Sequence, residues 1–210
     1  DGSEIDAGSG LIDLDANGDI TLAGLLTSTE VQVTTANGAI VDGGDTDADI
    51  TAASVALRAA SGVGTDSDSL ETVSDVTTTS LVLSVLTDSG DVHVVNSGHL
   101  IIGTVNGTTG VTITAADGVD NTDNVTLVSG SPLTVNNDVT NSDGGNITLT
   151  ATDSGAAGDD LTVATGVTIT AAGGTGSITL SAGDNLAFNG TALVTAASSG
   201  AVTVTADASS

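Results

Sequence analysis

The residues best placed to do chemistry lie near the start of the chain, in Asp13-Leu14-Asp15-Ala16-Asn17-Gly18-Asp19-Ile20. Asp at the first and third places, Asn at the fifth, Gly at the sixth and an aliphatic at the eighth reproduce the first two thirds of a calcium loop. In such a loop oxygen ligands alternate and the glycine permits a sharp turn. Asp13, Asp15, Asn17 and Asp19 are therefore the candidate metal ligands, and calcium is the cofactor they point to. The twelfth place should hold a bidentate Glu and is Gly24 instead, and no helical periodicity flanks the run. The same residues also read as a plain turn, Asn17-Gly18 joining a strand over Leu11 to Leu14 to one over Ile20 to Leu22.

Catalytic chemistry finds less support. His93 sits in the alternating run Val92-His93-Val94, opposite the two valines, so it is expected to face solvent, and His99 falls at a turn. No spacing of Ser, His and Asp selects a triad, and the chain is read as having no enzymatic activity. Arg58, the one basic residue against 27 acids, is expected to neutralise a neighbouring Asp. That charge balance excludes nucleic acid as a partner, because counterion release needs several Lys or Arg, and it disfavours anionic membrane surfaces. No apolar run is long enough for a membrane span, so membrane insertion is not expected. With no Cys, disulfides and thiolate ligands are excluded. Asp1-Gly2-Ser3-Glu4 does not look like a signal peptide, and the chain reads as a mature segment or a piece of something longer.

The elements that would carry these residues are strands. Apolar and polar residues alternate in Ile20-Thr21-Leu22, Val31-Gln32-Val33, Val111-Thr112-Ile113-Thr114, Ile147-Thr148-Leu149-Thr150, Val167-Thr168-Ile169-Thr170, Ile178-Thr179-Leu180-Ser181 and Val202-Thr203-Val204-Thr205. Period two with β-branched residues marks half-buried strands. Short phrases also recur: Gly-x-Ile-Thr-Leu at 18–22, 145–149 and 176–180, and Val-Thr-Ile/Val-Thr-Ala at 111–115, 167–171 and 202–206. Strand starts grouped in threes give coils of very roughly 25 to 35 residues. Stacked in register they form an all-β parallel β-helix, a β-solenoid of about seven three-strand coils. The alternative is a tandem of β-sandwich domains, but sandwiches place aromatics between their sheets and this chain has only Phe188. Residues 1–210 are read as one solenoid segment. It carries an excursion at about 61–80, either a polar loop or a short helix, since Asp68-Ser69-Leu70-Glu71 has the form of a capping box with Val73 and Val76 at helical spacing.

On such a frame the acids crowd into turns: Asp42 to Asp49, Asp117 with Asp120, Asp123 and Asn124, and Asp159-Asp160. Stacked carboxylates repel, and a hard divalent cation or simple solvation would relieve them. None matches the Gly-Gly-x-Gly-x-Asp repeat of calcium-bound β-rolls. Thr112/Thr114, Thr148/Thr150, Thr168/Thr170 and Thr203/Thr205 would point outward, either as a flat array for ice or sugars or as polar residues with high strand propensity. Asn106, Asn124, Asn146 and Asn189 begin glycosylation sequons.

Gly38-Ala39-Ile40-Val41-Asp42-Gly43-Gly44, Asp49-Ile50-Thr51-Ala52-Ala53-Ser54-Val55-Ala56-Leu57 and Gly145-Asn146-Ile147-Thr148-Leu149-Thr150-Ala151 through Gly176-Ser177-Ile178-Thr179-Leu180 together resemble the β-strand repeats of filamentous haemagglutinin-like bacterial surface proteins. The resemblance covers nearly the whole chain. It implies a right-handed parallel β-helix, an extracellular place at the bacterial cell surface, and an adhesive or structural role. The function expected is that of a rod in an adhesin, matrix protein or head-to-tail filament, with end-to-end self-association and a glycan or cell-surface ligand as partners. A calcium-, ice- or glycan-binding solenoid module is the alternative.

Overall fold

The computed structural model describes residues 3–75, 80–114 and 122–207. All regular structure among them is β-strand, and no helix is long and apolar enough to cross a membrane. Strands pair in parallel from level to level, which makes the molecule a parallel β-solenoid. One small hairpin and one isolated bridge supply the antiparallel contacts. This excludes the sandwich alternative, whose neighbouring strands run antiparallel.

Stacking of like on like builds the core. Ile20, Ile40, Val63, Val92, Val125, Ile147, Ile178 and Val202 stand one above the next, which gives eight levels where spacing suggested about seven. Within each strand the alternation sends one side chain into the lumen and the next outward: Val125–Ser129, Ile147–Ala151 and Ile178–Ala182 all repeat buried and half-buried positions. The largest fully buried side chains are all Leu and Ile. A lumen this narrow is filled by branched aliphatics and has no need of aromatic rings.

The levels are not equal in length. Ile12 stacks on Val31 and Leu83 on Ile102, 19 residues apart in each case, whereas Ile102 stacks on Val135, 33 residues on. The difference falls in the corners. Val82 to Thr87 of the strand Leu81–Thr87 pair without a break with Ser54–Ala59 below, but above it the sheet divides, with Leu81 to Leu83 under Leu100–Ile102 and Val85 to Thr87 under Val111–Ile113. The reverse happens on the other side. Val92–Asn96 pairs in full with Val125–Ser129 above, while below it Val92 meets Val63 and Val94 to Asn96 meet Leu70 to Thr72. The level holding Leu81–Thr87 and Val92–Asn96 therefore has two long strands and joins two halves in which the single long wall occupies different sides.

Two sequence expectations change here. Residues 61–80 hold no helix among those described: Val63 bridges Ile40 and Val92, Thr65 and Asp68 close a tight turn, and Leu70–Val73 is a wall strand. Fully buried Leu70 and Thr72 stack on Val94 and Asn96, so tertiary partners at period two override the capping-box signal. Val76 lies outside the described residues.

A hairpin of Thr104–Val105 with Thr108–Thr109 also leaves the stack. Its tip is Asn106-Gly107, with φ of 45° and 75°, as a two-residue hairpin turn requires. Arg58 holds this hairpin down, donating from Nε to Thr108 Oγ1 at 2.6 Å and from its guanidinium to the Asn106 carbonyl at 3.0 Å. Asn106 donates in turn to Gln32 Oε1. The chain's only basic side chain thus serves as a clasp on the hairpin, where a partner Asp was expected. Arg58→Ala should cost ~1 kcal/mol and raise amide exchange at 104–109 while leaving 125–182 protected; uniform loss of protection along the chain would contradict the clasp.

Candidate functional site

Asp13 and Asp15 stand exposed on the outer face of Ile12–Ala16, in register with Gln32 and Thr34 of the next level. An extended strand spaces alternate residues ~7 Å apart, so these carboxylates cannot wrap an ion as a loop would. Asn17 Oδ1 accepts from Asn37 Nδ2 at 2.8 Å, and Asp19 Oδ1 accepts from the Ala39 N–H at 2.9 Å. Asn17 and Asp19 therefore bond turn to turn between levels, and Asp13, Asp15 and Asp19 join no convergent acidic group among the described residues.

Three other acids do converge. Ile50 pairs in register with Thr72, which sets residue 49 beside residue 71, and the Glu71 N–H donates to Asp49 Oδ2 at 2.9 Å. Asp42 ends the strand Ile40–Asp42, and the chain then leaves the wall through 43–48 and returns at Asp49, bringing both ends of the loop to one place. One carboxylate oxygen each from Asp42, Asp49 and Glu71 lie within 4.8 Å of one another. Asp42 is 5% exposed and Asp49 1%. Both oxygens of Asp42 and Oε2 of Glu71 are buried without a hydrogen-bond partner, while Glu71 Oε1 accepts from Ser69 Oγ at 2.9 Å.

The electrostatics follow from this crowding. Burial, reinforced by the Asp42 and Glu71 charges, pushes the Asp49 carboxyl up to about 8 against the pull of the Glu71 N–H. Burial likewise raises Glu71, with Asp42 adding to it. Asp68 is raised chiefly by its contact with the Asp42 carboxylate. A groove of about 240 Å³ lined by Thr46, Asp47, Ala48, Glu71, Thr72 and Val95 opens onto Glu71.

Several other turn acids are satisfied within the chain, although Asp75 Oδ1 and both Asp143 oxygens are buried without a hydrogen-bond partner among the described residues. Asp159 accepts from the N–H and Oγ of Ser154, at 2.5 and 2.7 Å, and these bonds hold it below the usual carboxylate range. Asp160 Oδ1 accepts from the Asn185 N–H and Nδ2. Asp123 Oδ2 accepts from the Gly90 N–H at 2.6 Å. The fully buried Asp143 carboxylate has no partner among the described residues, and it belongs to no converging group of three or more ligand-type side chains there. Asp117 and Asp120 lie outside the described residues.

His93 Nδ1 lies 3.0 Å from Asp66 Oδ1 on the outer surface. His99 Nε2 lies 3.2 Å from Thr134 Oγ1, and burial lowers its pKa. The threonines align in two separate rows: Thr126, Thr148, Thr179 and Thr203 on one wall, and Thr112, Thr140, Thr170 and Thr195 on another. The Thr-x-Thr pairs are therefore divided between walls and do not form a single array.

The last level is the most apolar surface. Phe188, Leu193, Val202 and Val204 are 43 to 55% exposed and, with Ala192 and Val194, line one recess. Ile5 and Leu11 are similarly exposed at the first level, and Ile5, Leu14 and Ile20 line a recess there. No family model, curated protein or solved structure matches this chain.

Proposed function

We propose that this chain is an extracellular structural rod: a β-solenoid that forms part of a cell-surface adhesin, a matrix protein or a head-to-tail filament, and does mechanical rather than catalytic work. The observation that carries this reading is the unbroken parallel stacking of eight levels over one aliphatic core. At the last level, Leu186–Phe188, Leu193–Thr195 and Val202–Ala206 each pair with a strand on one side only, above an apolar recess. Bare parallel strand edges over an apolar lumen are a template for another coil. A further coil of the same kind fits there, from this protein or from a second copy, whose first level offers Ile5, Leu11, Leu14 and Ile20.

Shape supports the match as well. The last level has two short strands and one long, the first has one long and two short, and the level at Leu81–Thr87 already joins walls of these two kinds. The bacterial surface setting rests on the resemblance of the repeats. The excess of acids would keep such rods from clumping sideways, and the scarcity of Lys and Arg leaves few sites for trypsin-like proteases.

Eight levels at ~4.8 Å make a rod of roughly 38 Å. Electron micrographs at high protein concentration should show fibres with that axial repeat, and sedimentation should show mass growing with concentration. Leu193→Asp with Val204→Asp should return the material to single particles with unchanged circular dichroism. A wild-type chain that stays strictly monomeric would sink the filament.

A further inference from the structure

We propose that Asp42, Asp49 and Glu71, with Asp68 against them, form a binding site for a hard divalent cation of the calcium class. Cation binding here needs no end-to-end stacking, so it stands apart from the filament reading. The argument begins with what the site lacks. Both Asp42 oxygens and Glu71 Oε2 are buried and accept no hydrogen bond from the described residues, although buried carboxylates in folded proteins are normally paired. Unpaired buried charges cost several kcal/mol each, and here three carboxylates share one pocket with a fourth at its edge.

No basic side chain among the described residues is placed to neutralise them. Arg58 is committed to Thr108 and Asn106, His93 to Asp66, and His99 to Thr134. Shared protons would not suffice either. Protons on Asp49 and Asp68 would both be shared with Asp42 and would still leave Glu71 Oε2 without a partner. A cation accepts from all of them at once.

The donor set selects the metal. Every available atom is oxygen, most are anionic, and there is no nitrogen or sulfur ligand, which suits calcium or magnesium and not zinc or copper. Oxygens within 4.8 Å of one another fit a sphere of ~2.4 Å radius. Calcium tolerates the irregular geometry that two strands and a loop return provide, whereas magnesium demands a smaller regular octahedron. The groove lined by Thr46, Asp47 and Ala48 adjoins the cluster at Glu71. Asp49 also accepts the Glu71 amide, an outer contact that orients it toward the other two.

The test is calorimetric titration of the full chain, stripped with chelator, with calcium ions alone at about 150 mM salt, where diffuse binding to the acidic surface is screened. Wild type is expected to show one saturable site, and at a calcium concentration near a hundred times its Kd the melting temperature should rise by roughly 5 °C or more. Asp42→Asn and Glu71→Gln should each weaken uptake by at least about tenfold, while Asp13→Asn with Asp15→Asn leaves it unchanged.

In chelator, Asp42→Asn should be as stable as wild type or more so, because it removes an unpaired charge. A loss of stability there would assign the cluster a purely structural role and overturn the site. So would the absence of saturable uptake by wild type at millimolar calcium, or equal affinity in the variants. Should Asp42→Asn fail to fold, the wild-type titration and Glu71→Gln decide the matter alone.

Discussion

Gly145→Ala is expected to destabilise the molecule by about 3 kcal/mol or more, a large effect for one methyl group. Gly145 is buried, and a Cβ there would stand 2.0 Å from the Asp123 carbonyl oxygen, 2.6 Å from its carbon and 2.8 Å from the Thr122 oxygen. Its φ is not left-handed, so the cost is purely steric, backbone of one level against backbone of the next. The lower level cannot yield freely either, because the Asp123 carbonyl also accepts from Nδ2 of fully buried Asn141 at 2.6 Å. Overpacking of about 1–3 kcal/mol and a strained buried hydrogen bond worth about 1 kcal/mol therefore act together.

Gly18→Ala is the matched control, since nothing lies within 4 Å of its added Cβ and its φ is likewise ordinary. It should be neutral or stabilising by up to about 1 kcal/mol. Denaturant unfolding of the two variants checks this, and a Gly145→Ala chain within about 0.5 kcal/mol of wild type would show that the levels are looser than described.

Leu127→Ala should cost about 3 kcal/mol, within the range for a leucine truncated in a closed core. Leu127 is fully buried and stacks between Val94 below and Leu149 above. A lumen one level thick offers few neighbours that could collapse into the gap, so most of the cavity should persist. In a solenoid each level touches only the next, and the damage should be local. Amide exchange should accelerate most over Val92–Asn96, Val125–Ser129 and Ile147–Ala151 and least over Ile12–Ala16. Val204→Ala, at a position 48% exposed, should cost less than about 1 kcal/mol. Equal losses at the two positions, or exchange rising evenly along the chain, would argue against nearest-neighbour stability.

Much of the architecture was legible because lumen stacking rewards a pattern written in each strand. Ile147, Leu149 and Ala151 and their counterparts Ile178, Leu180 and Ala182 alternate in sequence and pair residue for residue in space. The absence of aromatics pointed the same way, toward a narrow lumen. Less legible were the corners. Asp68-Ser69-Leu70-Glu71 carries the local signal of a helix start, yet Leu70 finds a stacking partner in Val94, and nothing within four residues of Leu70 reveals that partner. Arg58 looked like a counter-ion for an acid, but its partners are 48 and 50 residues away on a hairpin that the sequence marks only by Asn106-Gly107.

The candidate site divides in the same manner. Asp13, Asp15, Asn17 and Asp19 match a ligand spacing defined for a coiled loop, and the strand they occupy pulls them straight. Asp42 and Asp49 were visible as members of an acid-rich turn, while Glu71 drew notice only as the end of a capping box. By itself the sequence determined the class of fold, through period two and composition, and it determined where charge could be tolerated, since acids other than Asp42 avoid the buried, lumen-side places of the strands. Only the tertiary structure decided which acids meet. Levels here rise by anything from 19 to 33 residues, so the register that sets Asp49 beside Glu71 comes from how each loop leaves and rejoins the wall. Sequence spacing carries no trace of that distance.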